Sequence, residues 1–515
     1  MGNIYAGQIQ AQEVSLLSVD SSGTQGYSGL QLLGNVTKVC NDGLERARVA
    51  LESIECFIPA KKIVVSIAPA DIKKNGNQYD LPMAISVYHL LREGNTRLQN
   101  ERWLFAAELS LNGELRPVSG IIPFVIAASQ AKLNGIVVAQ ENLREIAVLQ
   151  ELNPNNIKII GAKNLKQLKQ WLENKTELHT PLTKTVPSKK SSINFDDMVL
   201  TSELRKAAIV TAVGKHNVLL RGVPGSGKSM WAQRVGSIMS PLKDYEHLES
   251  LKIHSIFSHN LSQDVLSGSP PLRAPHHQAS CEAIIGNAEH PGEIALAHQG
   301  ILFLDEVTEF RRDLLEALRE PLESKSVNIS RVERKTSWQS NILLIAACNN
   351  CPCGWFGSDI KPCRCAVPSL LGYQRKLSGP FLDRIDIHLN FSRPIANGLV
   401  FTNKPKNNQT QMMTEEVLKA QEFGVCRNFK FGVNFNSELK ADNIFEASGM
   451  AEEKFRGLLS SQFHSLLSTR SQLRILRVAR TLADLERREA ISLADIQQAK
   501  YWHYEANTPL SGLPA

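Results

Sequence analysis

Short runs of consecutive apolar residues dominate the hydrophobic pattern of this chain, and each run ends at a turn or at polar residues. Such runs are typical of strands that are buried on both faces, as in a parallel sheet covered by helices. The clearest runs are residues 63–67, 103–106, 136–138, 218–220, 301–304 and 342–348. Residues 81–91 and 124–133 have the apolar density of helices. The succession of strands and helices predicts an α/β fold.

From about residue 394 to residue 515 the pattern changes to one typical of helices. Its best segment is residues 468–485, where Ser468 is a suitable N-cap. The apolar stripe of this segment, at spacings of three and four residues, is formed by Ile475, Val478, Leu482 and Leu485. Residues 490–496 suggest another capped helix start, and residues 402–411 a polar loop. This part of the chain is therefore predicted to be helical.

Composition is that of an ordinary globular protein, with 43% hydrophobic and 21% charged residues in 515. The length suggests about three domains. No apolar run approaches the roughly 18 residues of a membrane span, and the N-terminus lacks the pattern of a secretory signal. Ala6 stands where a myristoylation signal needs Ser or Thr. We therefore expect a cytoplasmic protein with no membrane partner.

The charge balance is mildly basic, with a net charge of +7 and a pI near 8.8. This balance permits a nucleic-acid partner without demonstrating one. Residues 176–194 are rich in Pro, Lys and Ser and poor in apolar residues, so they read as a flexible, exposed linker. Its lysines are either a nucleic-acid contact or an ordinary solvated run.

The strongest motif begins where the apolar run 218–220 ends. It fits the G-x-x-x-x-G-K-[ST] pattern of a P-loop, and residues 230–237 after it are compatible with a helix. In such a loop, backbone N–H groups surround phosphate oxygens, the lysine reaches the β- and γ-phosphates, and the hydroxyl holds Mg²⁺. The residues concerned are Gly222, Val223, Pro224, Gly225, Ser226, Gly227, Lys228 and Ser229. The other reading, a chance glycine-rich turn, does not account for the preceding strand. ATP and Mg²⁺ are the predicted ligands.

Two later strands end in polar residues that complete such a site. Asp305 and Glu306 follow the run 301–304, as expected of a Walker B strand that delivers carboxylates beside the P-loop. Asp305 would assist Mg²⁺ through its water shell, and Glu306 would polarise the attacking water. Asn349 ends the next run and would orient that water, although an asparagine at a strand end can also be purely structural.

Five of the nine cysteines fall between Cys348 and Cys365, and the segment 348–365 is rich in turns. Clustered cysteines in a cytosolic chain indicate a metal rather than disulfides. Cys348 belongs to the predicted strand, which leaves Cys351, Cys353, Cys363 and Cys365. Four thiolates can hold one tetrahedral Zn²⁺, although the C-x-C spacing is tighter than the usual C-x₂-C.

A first resemblance covers the N-terminal part of the chain. Residues 108–121, followed by Ala127-Ala128 and Glu141-Asn142, look like the proteolytic domain of Lon-type proteases. That family uses a Ser–Lys dyad. The lysine position corresponds to about Ile122 and the serine turn to residues 79–84, and neither group is present. The resemblance implies the fold and argues against peptidase activity.

A second resemblance covers essentially the whole chain. The P-loop, the acidic strand end, the Asn strand end and Leu382-Asp383-Arg384-Ile385-Asp386 occur in the order seen in AAA+ proteins of the Mg-chelatase/MCM branch. Residues 273–280, 318–323 and 329–331 narrow this to the ComM/YifB family, often labelled Mg-chelatase-like. The family usually has Asn-Pro-Cys-Pro-Cys-Gly where this chain has Asn349-Asn350-Cys351-Pro352-Cys353-Gly354.

The resemblance implies roles for residues that the motifs alone leave open. Arg384 would act as an arginine finger on the neighbouring subunit's nucleotide, whereas without the family it reads as a surface ion pair. Arg470 would be the sensor 2 arginine of a helical lid, or else part of a solvated basic face. His276 and His277 lie where related rings carry DNA-contacting loops, and a structural turn set by Pro275 is the equal alternative.

The domains implied are a Lon-protease-like α/β domain without the dyad (residues 1–175), the linker (176–194), an AAA+ ATPase domain (195–393) and a helical lid (394–515). The function implied is that of an ATP-dependent motor on DNA. It would be a hexameric ring with helicase or branch-migration activity on single-stranded or branched DNA in natural transformation. The rival readings are a metal-chelatase subunit and a protein-remodelling regulator or protease.

Overall fold

The fold was analysed in a computed structural model. It describes residues 3–25, 27–152, 157–178, 193–331, 334–358, 361–391, 408–454, 457 and 468–503. Two sheets with their covering helices occupy the first three quarters of the chain, and a set of helices follows. Most of the predicted linker lies outside the described residues.

A seven-stranded mixed sheet forms the N-terminal region, in the order β3-β4-β2-β1-β5-β8-β9. Strand β2 runs antiparallel to β1 and β4, and the other neighbours are parallel. The strands are β1 (Ile4–Gln10), β2 (Glu13–Thr24), β3 (Gly29–Leu33), β4 (Lys62–Ala68), β5 (Trp103–Ala106), β8 (Gly135–Ala139) and β9 (Lys158–Ala162), and a separate small hairpin pairs β6 (Glu108–Leu109) with β7 (Leu115–Arg116).

Helices cover both faces of this sheet because its central strands are apolar on both sides. On one face lie α1 (Lys38–Ser53), α2 (Asp80–Leu91) and α5 (Leu165–Leu172). The other face is covered by α3 (Ile121–Gln130) and α4 (Leu143–Leu152). The predicted strands and the helix at 81–91 are confirmed to within one residue. Helix α3 begins three residues before the predicted start, directly after Gly120, which has a positive φ.

A five-stranded parallel sheet forms the second region, in the order β11-β12-β15-β10-β16. Its strands are β10 (Val218–Gly222), β11 (Leu272–Arg273), β12 (Ile301–Leu304), β15 (Leu343–Cys348) and β16 (Ile387–Phe391). Strand β10 lies between β15 and β16, which both come later in the chain. The chain must therefore cross over the sheet to connect these parallel strands. Parallel strands end at the same edge, and polar residues that follow β10, β12 and β15 therefore meet there.

The helices of this region pack on both faces of the parallel sheet. They are α6 (Ser202–Gly214), α7 (Lys228–Val235), α8 (Asp244–Phe257), α9 (Gln263–Leu266), α10 (Cys281–Ile285), α11 (Glu293–Leu296), α12 (Arg312–Ala317), α13 (Arg319–Ser324), α14 (Val367–Arg375) and α15 (Gly379–Leu382). An antiparallel hairpin, β13 (Ser326–Arg331) with β14 (Arg334–Gln339), projects between α13 and β15.

The C-terminal region is helical, as predicted, and comprises α16 (Gln409–Asn428), α17 (Ala441–Ser448), α18 (Thr469–Leu485) and α19 (Leu493–His503). Ser468 caps α18 by accepting a hydrogen bond from the backbone of Ser471 at 3.2 Å. The predicted stripe is buried at Ile475, Val478 and Leu482 and shares a core with the parallel sheet. Helix α16 begins at Gln409, so the polar loop predicted at 402–411 is wrong for its last residues.

Among the described helices, none has the length and apolar character that a membrane span requires.

Helix α8 joins the two sheet regions. The backbone N–H of Gly120, at the start of α3, donates to the carbonyl of Ser255 at 2.6 Å. The Ser255 hydroxyl donates to Glu145 of α4 at 2.9 Å, and Asn142 donates to the other carboxyl oxygen at 2.9 Å. Apolar residues from α4 and α8 pack beside these bonds. The nucleotide-binding region is thus packed directly against the N-terminal region.

Burial in this interface raises the pKa of Glu145 to about 8, although its hydrogen bonds from Asn142 and Ser255 oppose the shift. The folded protein therefore keeps a proton on Glu145 that the unfolded chain releases above its ordinary value of 4.5. Because the folded state binds more protons in this window, the free energy of unfolding falls as pH rises from about 5 to about 8.

We expect Glu145→Gln to flatten this dependence, because the amide preserves a neutral, hydrogen-bonding side chain. The wild-type loss from this one group is at most about 1.4 kcal/mol per pH unit. The measurement is the thermal unfolding midpoint between pH 5 and pH 9. Glu151→Gln, an exposed glutamate on the same helix, is the matched control and should behave as wild type. Parallel curves for wild type and Glu145→Gln would contradict the assignment.

Candidate nucleotide-binding site

The P-loop lies at the carboxyl edge of the parallel sheet, between β10 and α7. Gly225 and Gly227 have φ values of 72° and 93°, a conformation that a residue with a Cβ adopts only with strain. Gly227 precedes α7 and provides no side-chain cap, so the first N–H groups of the helix face the loop. The Ser226 hydroxyl is buried and has no hydrogen-bond partner within the described residues. A phosphate group fits these donors.

Lys228 is the buried cation of this loop. Its Nζ donates to the carbonyls of Gly222 at 2.8 Å and Val223 at 2.9 Å, and to Asn349 Oδ1 at 3.2 Å. Removal from water lowers its pKa, while the charges of Asp305 and Glu306 oppose the shift. The ammonium is therefore held by neutral oxygens, which cannot neutralise its charge. An anionic phosphate oxygen can.

Ser229 and Asp305 bring two oxygen groups together beneath the loop. The Ser229 hydroxyl donates to Asp305 Oδ2 at 2.6 Å, and the backbone N–H of Glu306 donates to Asp305 Oδ1 at 3.0 Å. A hydroxyl and a carboxylate are the hard oxygen ligands that Mg²⁺ prefers. The donor set therefore fits Mg²⁺.

Glu306 adopts the left-handed conformation, with φ of 50°, directly after Asp305. Its carboxylate oxygen Oε2 lies 3.6 Å from Nδ1 of His277. The His277 ring also lies edge-on to the Phe310 ring, with ring centroids 6.4 Å apart, and its centroid is 4.2 Å from that of the His276 ring. His277 thus borders the candidate site, a position that sequence reasoning missed because no spacing rule relates it to Glu306.

The predicted site residues fall into two groups by location. Lys228, Ser229, Asp305, Glu306 and Asn349 come together at the carboxyl edge of the parallel sheet, since their strands all end there.

Arg384 lies at the opposite edge. Its carbonyl accepts a hydrogen bond from Asn217 Nδ2 at 2.9 Å, and Asn217 immediately precedes β10, whereas the P-loop follows β10. Five residues of strand separate the two edges by roughly 16 Å. The guanidinium is anchored within its own chain, 3.1 Å from the Arg319 carbonyl and 2.7 Å from Glu323. Arg384 therefore does not contribute to the P-loop site of its own chain.

Arg470 is exposed in the first turn of α18 and makes no hydrogen bond or ion pair to another described residue. One turn later, Arg474 donates to Asp386 at 3.2 Å, just before β16 begins. Arg477 donates to the carbonyl of Leu439. In the predicted basic face, Arg474 and Arg477 are thus paired. The helical turn after Arg470 lies at the amino edge of the sheet, away from the P-loop.

The cysteine segment follows Asn349 directly. The Sγ atom of Cys351 lies 3.4 Å from that of Cys353 and 3.8 Å from that of Cys363, and the latter two are 3.6 Å apart. With Cys365, all four Sγ atoms lie within 4.8 Å of one another, and all are free thiols. Hydrogen bonds from the backbone of Trp355 and Arg364 lower the pKa of Cys353 to about 6. Sequence and structure agree on this cluster, and Cys348 lies in β15 as predicted.

The Lon-type resemblance places its dyad at about Ile122 and within residues 79–84, and both places carry structural contacts. Ile122 is buried in α3, and its backbone N–H donates to the Ser255 hydroxyl at 3.3 Å. Asp80, at the start of α2, is buried and pairs with Arg46 at 2.7 Å. Neither position offers a nucleophile or an activating amine.

Comparison with known proteins matches most of the chain to related family models. The family model described as magnesium chelatase, subunit ChlI, matches residues 194–397. Related models described as subunit ChlI of Mg-chelatase and its C-terminal part match residues 19–142 and 407–502.

Full-length relatives extend this match. The chain is 35% identical to the uncharacterized protein YifB of Salmonella typhimurium, over 92% of each chain. It is 34% identical to YifB of Escherichia coli, over 94% of this chain and 93% of the relative. It is 31% identical to the competence protein ComM of Haemophilus influenzae, over 96% of each chain. The P-loop geometry, the parallel sheet and these full-length matches show that the chain belongs to the ComM/YifB family of Mg-chelatase-like AAA+ proteins.

Proposed function

We propose that this protein is an ATP-driven DNA motor of the cytoplasm that works as a ring, most simply a hexamer. The observation that carries the proposal is that the candidate ATPase residues lie at two opposite edges of the parallel sheet. One edge holds Lys228, Ser229, Asp305, Glu306 and Asn349, and the opposite edge holds Arg384. Only a second copy of the chain can bring these groups together.

Each residue has a distinct part in hydrolysis under this proposal. The P-loop N–H groups and Lys228 bind the phosphates of ATP, and Lys228 exchanges its carbonyl partners for phosphate oxygens. Ser229 and Asp305 hold Mg²⁺, which when bound neutralises charge on the β- and γ-phosphates. Glu306 accepts a proton from the attacking water, which Asn349 orients. His277 holds the Glu306 carboxylate in place through their 3.6 Å contact.

Arg384 completes the site from the neighbouring subunit. To reach a nucleotide, its guanidinium must leave the half-exposed carboxylate of Glu323 and the carbonyls of Arg319 and Pro380. An arginine supplied in trans stabilises the charge of the transition state and makes hydrolysis depend on the ring contact. We assign Arg470 a similar role in stabilising the charge of the transition state, because its side chain is exposed and unpaired within the described residues.

DNA is the proposed substrate, and recombination during natural transformation the proposed process. Support comes from the relative named competence protein and from the net charge of +7. The N-terminal region serves in this scheme as a Lon-protease-like domain without peptidase activity, and the C-terminal helices serve as the lid.

Because the matching family models are named for magnesium chelatase, a chelatase-type subunit is the second candidate. A protein-remodelling regulator is the third.

Lys228→Ala and Glu306→Gln separate binding from hydrolysis. Loss of the charged hydrogen bonds of Lys228 should weaken ATP binding roughly 10- to 100-fold. Glu306→Gln should bind ATP as wild type does but lower kcat by about 10²-fold or more, because the amide cannot accept the proton. Titration with a fluorescent ATP analogue measures the binding affinity, and steady-state phosphate release measures kcat. Normal turnover by Glu306→Gln would contradict its assigned role.

Arg384→Ala should lower kcat by about 10³-fold if the arginine acts as a finger. Its mixture with Lys228→Ala should recover part of the activity, since the intact P-loop of one variant then meets the intact Arg384 of the other. Arg312→Ala, at an exposed arginine that pairs with Glu316 of its own helix, is the control and should be active. A mixture that stays inactive would exclude action in trans.

DNA should stimulate the ATPase, and stimulation should fall steeply with salt because the backbone is gripped electrostatically. The measurement is phosphate release with single-stranded, forked and four-way DNA at two ionic strengths. If no DNA stimulates the ATPase and a metal-free porphyrin does, the chelatase-type subunit replaces the proposal. If an unfolded protein stimulates it instead, the protein-remodelling regulator does.

A further inference from the structure

We propose that Cys351, Cys353, Cys363 and Cys365 bind one Zn²⁺, and that this zinc centre braces the P-loop and Asn349 in their nucleotide-binding geometry. The bracing role rests on the nucleotide site proposed above, whereas the zinc site itself does not. The proposal stands on the arrangement of the thiols and on the contacts that the cysteine segment makes at both its ends.

The thiol arrangement matches a tetrahedral metal site. Zn–S bonds of about 2.3 Å place the corners of a tetrahedron about 3.8 Å apart. The three resolved Sγ separations, between 3.4 and 3.8 Å, are close to this value. They are far longer than the roughly 2.05 Å of a disulfide bond. Two further contacts order the segment: Phe356 N–H donates to Cys351 Sγ at 3.3 Å, and Asn350 donates to the Phe356 carbonyl at 3.0 Å.

The first end of the segment abuts the P-loop. Asn349, which bonds Lys228, is two residues before Cys351. Gly354 faces Pro224 so closely that a Cβ on Gly354 would lie 2.5 Å from Pro224 Cγ. Its φ of 84° also favours glycine. The cysteine segment and the P-loop are therefore packed closely against each other at Gly354 and Pro224.

The second end leads to the Walker B side of the site. Helix α14 begins two residues after Cys365, and its Tyr373 accepts a hydrogen bond from Thr308 at 2.7 Å. Thr308 lies in the turn immediately after Glu306. A metal that fixes the cysteine segment therefore restrains both walls of the nucleotide site.

The test uses the full-length protein purified under reducing conditions without added chelator. Elemental analysis should give close to one zinc per chain, and the Cys353→Ser/Cys365→Ser double variant should lose it. Cys426→Ser, at an exposed cysteine on α16, is the matched control and should retain zinc and activity. Absence of zinc from the wild type, with no thiolate charge-transfer band after Co²⁺ is offered, would overturn the metal site.

The bracing role has its own readout, which is the affinity for a fluorescent ATP analogue. We expect the double variant to bind it roughly 10- to 100-fold more weakly. Gly354→Ala keeps all four thiols and disturbs the contact with Pro224 and the left-handed backbone at residue 354. It should retain zinc yet also bind nucleotide more weakly. Circular dichroism confirms that each variant is folded. Zinc in the wild type, together with unchanged nucleotide affinity in both variants, would overturn the bracing role. Failure of DNA to stimulate the ATPase would leave the zinc result unaffected.

Discussion

The interaction on which the nucleotide site depends is the burial of the Lys228 ammonium among neutral oxygens. Two backbone carbonyls of the P-loop and the side chain of Asn349 surround it, and none of its hydrogen bonds within the described residues goes to a carboxylate. A buried charge without an opposite charge is costly, so the site has a strong preference for an anion. The rest of the local structure serves to hold this charge in place: the left-handed glycines shape the loop, and strand β15 delivers Asn349.

The parallel sheet imposes a second constraint, because its two edges cannot share one nucleotide. Groups that follow the strands gather at the carboxyl edge, and groups that precede them, such as Arg384 and Asp386, stay at the amino edge. An arginine on the amino edge is useful for hydrolysis only if a second subunit presents it. The proposed ring is in this sense a consequence of strand polarity. Helix α8 adds the N-terminal region to the same unit through Ser255 and Glu145, so movement of the nucleotide-binding region should be transmitted to it.

Sequence reasoning succeeded where the chemistry is local or where strand ends meet by rule. The P-loop is contiguous, and Asn349 could be assigned to it because adjacent parallel strands end together. It failed where the contact depends on packing between distant segments. No periodicity or spacing in the sequence indicates that His277 pairs with Glu306 or that α8 packs against α3. Strands β1 to β3 were missed because their alternating, partly exposed residues give a weaker signal than buried runs. For Arg384, the family resemblance implied action on a neighbouring subunit's nucleotide, and the strand order adds that its backbone lies at the amino edge, away from the P-loop of its own chain.

The most direct test of this account is an experimental structure of the full chain with Mg²⁺ and a non-hydrolysable ATP analogue. The account predicts that Lys228 Nζ leaves the carbonyls of Gly222 and Val223 for the β- and γ-phosphates, while Asn349 stays beside it. It also predicts that Ser229 and Asp305 flank the Mg²⁺ and that Arg384 of an adjacent subunit faces the γ-phosphate. A nucleotide bound elsewhere, or bound with Lys228 still held by its own loop and no neighbouring arginine within reach, would contradict it.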